Sequence, residues 1–281
     1  MKIKSLGLKC ISDGNSHIYP LSKSKNKINL KNPLLIVGFP GSGMIGQLGV
    51  DYIVEQSDLH QIYYIKSEYI MPGAVFFKNK IRHPARIYSN NEGTLCVLIC
   101  DAPILIDGIF SLVNVIIQWC TKNNIKEVFL IDGILKRSFN ANQLSEEKVI
   151  ILTNENSSPN KENSINKSMF ENKNQVINND NSLFYPEFAY IGGPGGDLLA
   201  SCTTNNIKCT GILIPTIEGV ADHFGTIRAI ETLNKFISPY NIDLSILRKR
   251  TEIIKEKVQN TLQSISKQYE SKNDKDSRIY R

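Results

Sequence analysis

Hydrophobic and polar positions alternate along this chain in two rhythms, one of strands and one of helices. Leu34-Leu35-Ile36-Val37 is an unbroken apolar run, the pattern of a strand covered on both faces. From Gly43 to about Gln56, Ile45, Leu48, Gly49, Tyr52 and Ile53 return on one side of a predicted helix. Ile62–Ile65 and Ala74–Phe77 read as strands. Ile81–Tyr88 reads as another that Pro84 breaks or confines to an edge. Thr94–Cys100 is a further strand, and Ile104–Lys122, after Pro103, a long helix. Glu127–Ile131 reads as a buried strand ending at Asp132-Gly133. Lys148–Leu152, Phe188–Ile191 and Thr210–Ile214 complete the strands, and Ala221–Ile237 is the helix that follows. This alternation predicts an α/β fold with a mostly parallel sheet and helices on both faces.

Two stretches depart from the rhythm. Residues 154–182 hold ten asparagines among twenty-nine residues, with only Ile165, Met169, Phe170, Val176 and Ile177 apolar. Such a segment buries too little surface to offset its ordering entropy, so a disordered surface insertion is expected. After it, Asp243 is placed to cap a helix from Leu244 to about Tyr269. Leu247, Thr251, Ile254, Val258, Thr261 and Ile265 form a seven-residue repeat along it. The expected organisation is a core over 1–241, an amphipathic helix over 242–270 and a flexible tail over 271–281.

Composition narrows the function. A hydrophobic share of 41% and a charged share of 21% exclude wholesale disorder and fibrous classes. The net charge of +6 sits at the ends: +6 in residues 1–32 and +4 in 242–281, against −4 between them. A mildly acidic body argues against nucleic acid as a partner. The start of the chain lacks the apolar core of a signal peptide, and Asp107, Asn114 and Gln118 interrupt its greasiest stretch, so no membrane partner is expected. Six scattered cysteines without a C-x-x-C pair read as buried thiols of a cytoplasmic protein. His17, His60, His83 and His223 show no metal-ligand spacing.

Three motifs carry candidate chemistry. Gly41-x-Gly43-x-x-Gly46 lies between a strand and a helix, where a dinucleotide fold cradles a pyrophosphate. Phe39-Pro40 intervenes, however, and Pro40 has no N–H to offer. The acidic residue expected about twenty positions on falls ambiguously between Asp58 and Glu68. Gly38, Pro40, Gly41, Gly43 and Gly46 therefore read as a structural turn, with nucleotide binding as the alternative. Gly192-Gly193-Pro194-Gly195-Gly196-Asp197 is a second glycine-rich turn, and Asp222-His223 an acid–imidazole dipeptide without a nucleophile elbow. No catalytic set assembles. The sequence closes on Ile279-Tyr280-Arg281, a hydrophobe, an amphipathic ring and a carboxylate on a polar tether.

Leu35-Ile-Val-Gly-Phe-Pro-Gly-Ser-Gly-Met-Ile-Gly46 resembles the archaeal members of the proteasome assembly chaperone family. The resemblance continues through Ser67-Glu68-Tyr69, Ile81-Arg-His-Pro-Ala-Arg-Ile-Tyr88, Asp132-Gly133, Gly211-Ile-Leu-Ile-Pro-Thr and Ile242-Asp-Leu-Ser-Ile-Leu247. It implies a Rossmann-like three-layer sandwich of nucleoside-phosphorylase-like architecture without the catalytic residues. It also implies a homo-oligomer that is not an enzyme, needs neither ATP nor a cofactor, and binds α-subunits of the 20S proteasome in assembly or gating. The family's hydrophobic-Tyr-X ending maps onto Ile279, Tyr280 and Arg281. The rival readings are a nucleotide- or nucleoside-handling enzyme built on Gly41–Gly46, and an oligomeric scaffold with an unrelated partner.

Overall fold

The computed structural model describes residues 10–21, 28–77, 79–135, 148–155 and 182–257. The chain divides into two units, one up to Ile242 and one from Asp243.

The first unit is built on a ten-stranded sheet. At its centre lies β3 (Leu34–Gly38), the continuous apolar run, with four of its five residues buried. It pairs in parallel with β8 (Leu95–Cys100) on one side and β9 (Glu127–Leu135) on the other, Leu34 standing opposite both Leu95 and Glu127. Next to β9 runs β12 (Lys208–Thr216), also parallel. Beyond this centre the direction changes. β7 (Ala85–Ser89), β4 (His60–Ser67), β2 (Ser16–Pro20) and β1 (Ile11–Asp13) follow β8 in antiparallel succession. On the other edge β10 (Val149–Thr153) is antiparallel to β12 and parallel to β11 (Leu183–Phe184).

Five of the nine neighbouring pairs are thus antiparallel, and the sheet is mixed rather than mostly parallel. An apolar run reports burial on both faces but not the direction of a neighbour. Between β4 and β8 the described elements are only the small hairpin of β5 (Val75–Phe77) and β6 (Lys80–Arg82), then β7. Without a crossover helix, consecutive strands return antiparallel.

Helices cover both faces. On one, α2 (Ile109–Lys122) packs with α3 (Gly193–Thr204) over Leu35, Val37, Leu98, Val128 and Leu130. On the other, α1 (Ile45–Gln56) packs with α4 (His223–Phe236). There Gly49 lies against Ile131 and Thr226, and the Phe129 ring meets that of Phe236 at 6.3 Å. The period-2 alternation of side chains divides the two cores.

Several local expectations change. Ile81–Tyr88 is broken at His83-Pro84, but its second half, β7, is an interior strand with every residue buried. Pro84 stands just ahead of that strand, where its carbonyl accepts from the Asp101 N–H at 2.9 Å. Phe188–Ile191 is not a strand but an irregular segment leading into α3, with Phe188 and Tyr190 more than four-fifths exposed. β1 and β2 carry no pattern strong enough to predict them. Of the Asn-rich stretch only residues 154, 155 and 182 lie among those described.

The second unit shows a helix over 245–257. The Asp243 carboxylate accepts from the Ser245 N–H at 3.0 Å and from its hydroxyl at 2.7 Å, which anchors the first turn. The rest of the predicted helix and the tail lie outside the described residues.

Candidate functional site

Open α/β sheets bind ligands at the carboxyl ends of the strands, where the connections diverge. Here α1 leaves β3 on one face and α2 leaves β8 on the other, so the divergence falls at the carboxyl ends of β3 and β8. The glycine-rich turn sits there. Gly38 ends β3, Gly43 lies in a 3-10 turn over Ser42–Met44, and Gly46 is the second residue of α1.

The turn is closed by backbone. A side chain at Gly38 would overlap the Gly46 carbonyl, and one at Gly46 would stand 2.6 Å from the Ile131 carbonyl and 2.9 Å from that of Phe39. A side chain at Gly133 would strike the Ser42 carbonyl. Gly43 has φ +64°, and its carbonyl accepts from the Asp222 N–H at 2.8 Å. These glycines thus let the turn pack backbone against backbone on β9 and on the start of α1. The acidic candidates lie elsewhere. Asp58 precedes β4 at the far end of α1, where it accepts from Asn91, and Glu68 follows β4, three strands away from β3.

A carboxylate does stand at the turn, and it belongs to Asp132 of β9. A Cβ at Gly41 would lie 2.5 Å from its Oδ1, and one at Gly195 would lie 2.9 Å from its Oδ2. Both glycine-rich turns, some 150 residues apart in sequence, thus converge on one side chain. Burial pushes its carboxyl up to about 7, only partly opposed by the Gly133 N–H, which donates to Oδ1 at 2.8 Å. Asp222 is committed to structure: it accepts from the Gly225 N–H at 2.6 Å as the cap of α4, and from the Thr216 hydroxyl at 3.1 Å. It is not paired with His223 in a relay. Sequence reasoning left the role of Asp132 open and ended the strand just before it, whereas β9 runs on to Leu135; a carboxylate directly after the apolar run Val128–Ile131 was the available signal.

A second buried polar group ties β7 to β8. Arg86, 1% exposed, pairs through Nη2 with Asp101 Oδ2 at 2.7 Å. It also donates to the His83 carbonyl at 2.5 Å and to the Tyr88 hydroxyl at 3.1 Å. Asp51 of α1 faces this pair. Burial pushes its carboxyl up to about 7, with Asp101 adding to the effect and Arg86 opposing it. These residues fix the strand ends and present no free nucleophile.

The same end of the sheet carries exposed apolar side chains. Main-chain bonds from Leu105 N–H to the Tyr69 carbonyl (2.8 Å) and from Met71 N–H to the Pro103 carbonyl (3.0 Å) join two loops. Met71, Leu105, Ile106 and Phe110 stand out from them, the last two 79% and 70% exposed. Exposed apolar groups gathered in this way are a feature of interaction sites. Ile279, Tyr280 and Arg281 lie outside the described residues. Among the described residues, no group of three or more His, Cys, Asp or Glu could hold a metal ion, and no helix is long and apolar enough to cross a membrane.

Comparison with known proteins places this architecture. An uncharacterized protein of Methanocaldococcus jannaschii is 28% identical over 234 residues, covering 83% of this chain and 87% of that one. Pyrococcus furiosus PbaA, described as an archaeal homologue of proteasome-assembly chaperone, shares the fold with a TM-score of 0.71. It is 17% identical, over 98% of this chain and 99% of that one. Pyrococcus furiosus PbaB, described as an archaeal proteasome activator, matches with a TM-score of 0.66 and 14% identity, over 88% of this chain and 98% of that one. The model of the PAC2 family matches residues 35–262, from the strand ahead of the glycine turn into the C-terminal helix, and the chain belongs to that family.

Proposed function

We propose that this protein is a cytoplasmic, non-enzymatic, ATP-independent binding partner of the 20S proteasome, acting in its assembly or gating. The observation that carries the reading is the family match over residues 35–262, set beside the fold shared with PbaA and PbaB. The site geometry is consistent with it: the glycine turn packs backbone against backbone, Asp222 serves as a cap and Asp101 pairs with Arg86. The related finer reading is a Rossmann-like core, of the kind found in nucleoside phosphorylases, kept as a scaffold after its ligand crevice closed.

The proposed mechanism is avidity. A homo-oligomeric body, joined through exposed apolar side chains such as Ile106 and Phe110, presents several tails to a ring of repeated α-subunit pockets. Ile279, Tyr280 and Arg281 are the proposed contact residues. Removing a buried aromatic anchor typically costs about 2 kcal/mol per site, and several tails multiply that loss. Purified 20S particles should therefore retain the wild-type protein and lose Tyr280→Ala, while the melting temperature and oligomer mass of the variant stay unchanged. Equal retention of both would remove the tail from the mechanism. ATP, AMP and NAD at millimolar concentration should leave the melting temperature in place. A ligand at 100 times its Kd would add about 2.7 kcal/mol, so a clear rise with one nucleotide would favour the enzyme reading instead.

A further inference from the structure

The positive charge of residues 1–32, seven lysines against Asp13, flanks the hairpin of β1 and β2 in sequence. That hairpin continues the sheet beyond β4, and these three strands have two unlike faces. One meets α2: the Ser111 hydroxyl donates to that of Ser16 at 2.9 Å, Ile18 and Ile65 enter the core, and the Tyr63 ring meets Trp119 edge-on at 5.7 Å. The period-2 alternation puts Ser12, His17, Tyr19, Tyr64 and Lys66 on the other. Among the described residues, α2 is the helix that packs on β1 and β2, so this second face has no helix over it.

The rings on this face stack on one another. Tyr64 lies 5.2 Å from Tyr19 on one side and 4.5 Å from His83 on the other, and His17 tilts against Tyr19 at 5.9 Å. Cations border the column without carboxylate partners. Asp101 is taken by Arg86, and among the described residues neither Lys66 nor Arg82 has an ion pair. Arg82 donates through Nη1 to Gln61 Oε1 at 3.0 Å and to the Tyr88 hydroxyl at 3.2 Å, but its Nε is buried without an acceptor. His83 registers the excess of positive charge: burial first, then Lys66 and Arg86, push its imidazole below the usual range. The carboxylates at the ends of these strands serve elsewhere. Asp13 accepts from Asn114 and Gln118 of α2, and Glu68, just past β4, accepts from Asn15.

We propose that this face of β2 and β4, bordered by Lys66, Arg82 and His83, docks an acidic stretch of a partner protein. Carboxylates supply the missing acceptors, because hydrogen bonds from Arg and Lys to a carboxylate are charge-assisted. The Arg82 Nε is already out of water, so a carboxylate oxygen placed on it satisfies a donor that is otherwise costly to leave bare. Single-stranded nucleic acid fits less well, since it stacks its bases on open rings, and both faces of Tyr64 are covered by Tyr19 and His83. A membrane surface fits less well too. None of the large apolar side chains exposed among the described residues belongs to β1, β2 or β4, so nothing there enters the acyl boundary. Charge complementarity therefore sets the chemistry of the partner, and the flanking lysines steer it in from a distance.

The test uses the full chain and a fluorescein-labelled octaglutamate peptide, followed by fluorescence anisotropy at low salt. The peptide should bind, and binding should weaken as salt is added. Lys66→Gln and Arg82→Gln should each raise the Kd by roughly threefold or more, the scale of one partly screened ion pair. Lys122→Gln removes the same charge at the end of α2, on the opposite face, and should leave the Kd unchanged. Thermal melts check that Arg82→Gln folds; if it does not, the exposed Lys66 decides alone against Lys122. An equal loss in Lys66→Gln and Lys122→Gln, or no loss in Lys66→Gln, would assign the binding to net charge and overturn the site. Tighter binding of a labelled octathymidylate at the same salt, or co-sedimentation with phosphatidylserine vesicles in place of peptide binding, would overturn the assignment to an acidic protein segment.

Discussion

The two glycine-rich turns look alike in sequence and differ in what they do to the backbone. In the first, Gly38 and Gly46 face each other so closely that any Cβ would meet a carbonyl. In the second, Gly193 has φ +75° with nothing within 4 Å of its missing side chain, and Gly192 would meet only the edge of Tyr190 at 3.7 Å. Gly38 and Gly46, and in the second turn Gly196 against the Ile191 carbonyl, answer to close packing, whereas Gly193 answers to a local conformation. A glycine motif thus records a constraint without saying which one.

Substitutions separate the two cases. Gly38→Ala and Gly46→Ala should be the most damaging, costing about 3 kcal/mol or more, because the conflict is backbone against backbone and neither side can rotate away. Urea melts of the purified variants measure it, and a loss below about 1 kcal/mol would mean that the turn opens easily. Gly193→Ala should cost only about 1–2 kcal/mol, the penalty of a left-handed conformation in open space. Gly192→Ala should stay within about 0.5 kcal/mol, as surface changes do. If Gly192→Ala cost as much as Gly46→Ala, the distinction between the turns would collapse.

Asp132, enclosed by both turns, gives an effect that depends on pH. Its carboxyl is pushed up from 3.8 to about 7 in the folded protein, so the unfolded chain releases its proton first. Stability must therefore fall as pH rises from about 4 to about 7. Asp132→Asn keeps the acceptor for the Gly133 N–H and removes the ionisation. It should be near neutral at pH 4 and stabilising by roughly 4 kcal/mol at pH 8, the shift being about three pKa units at about 1.4 kcal/mol each. Part of the slope should survive in the variant, because Asp51 is shifted in the same direction. Thermal melts across that range decide; a variant with an unchanged slope would show that the Asp132 carboxyl is not enclosed.

Away from the turns, Arg86→Ala tests the antiparallel half, where it leaves the Asp101 carboxylate buried without its partner. A loss of about 3–5 kcal/mol is expected, and restoring packing with the pair Arg86→Met, Asp101→Leu should recover much of it. Denaturation of the single and double variants closes that cycle.

The sequence by itself determined where the central strands and helices lie, since β3 and β8 are continuous apolar runs, β9 and β12 hold the runs Val128–Ile131 and Ile212–Ile214, and α1 and α2 carry helical periodicity. It also marked both glycine turns and the Asp132-Gly133 step that follows the apolar run of β9. Burial imposes those patterns residue by residue, so they survive in one dimension. Only the tertiary structure decided strand direction, the interior place of β7 and the convergence of Gly41 and Gly195 on Asp132. The pairing of Arg86 with Asp101 belongs with them. Each of these depends on which segments become neighbours in space, and the energy of a neighbour leaves no periodic trace along the chain that meets it.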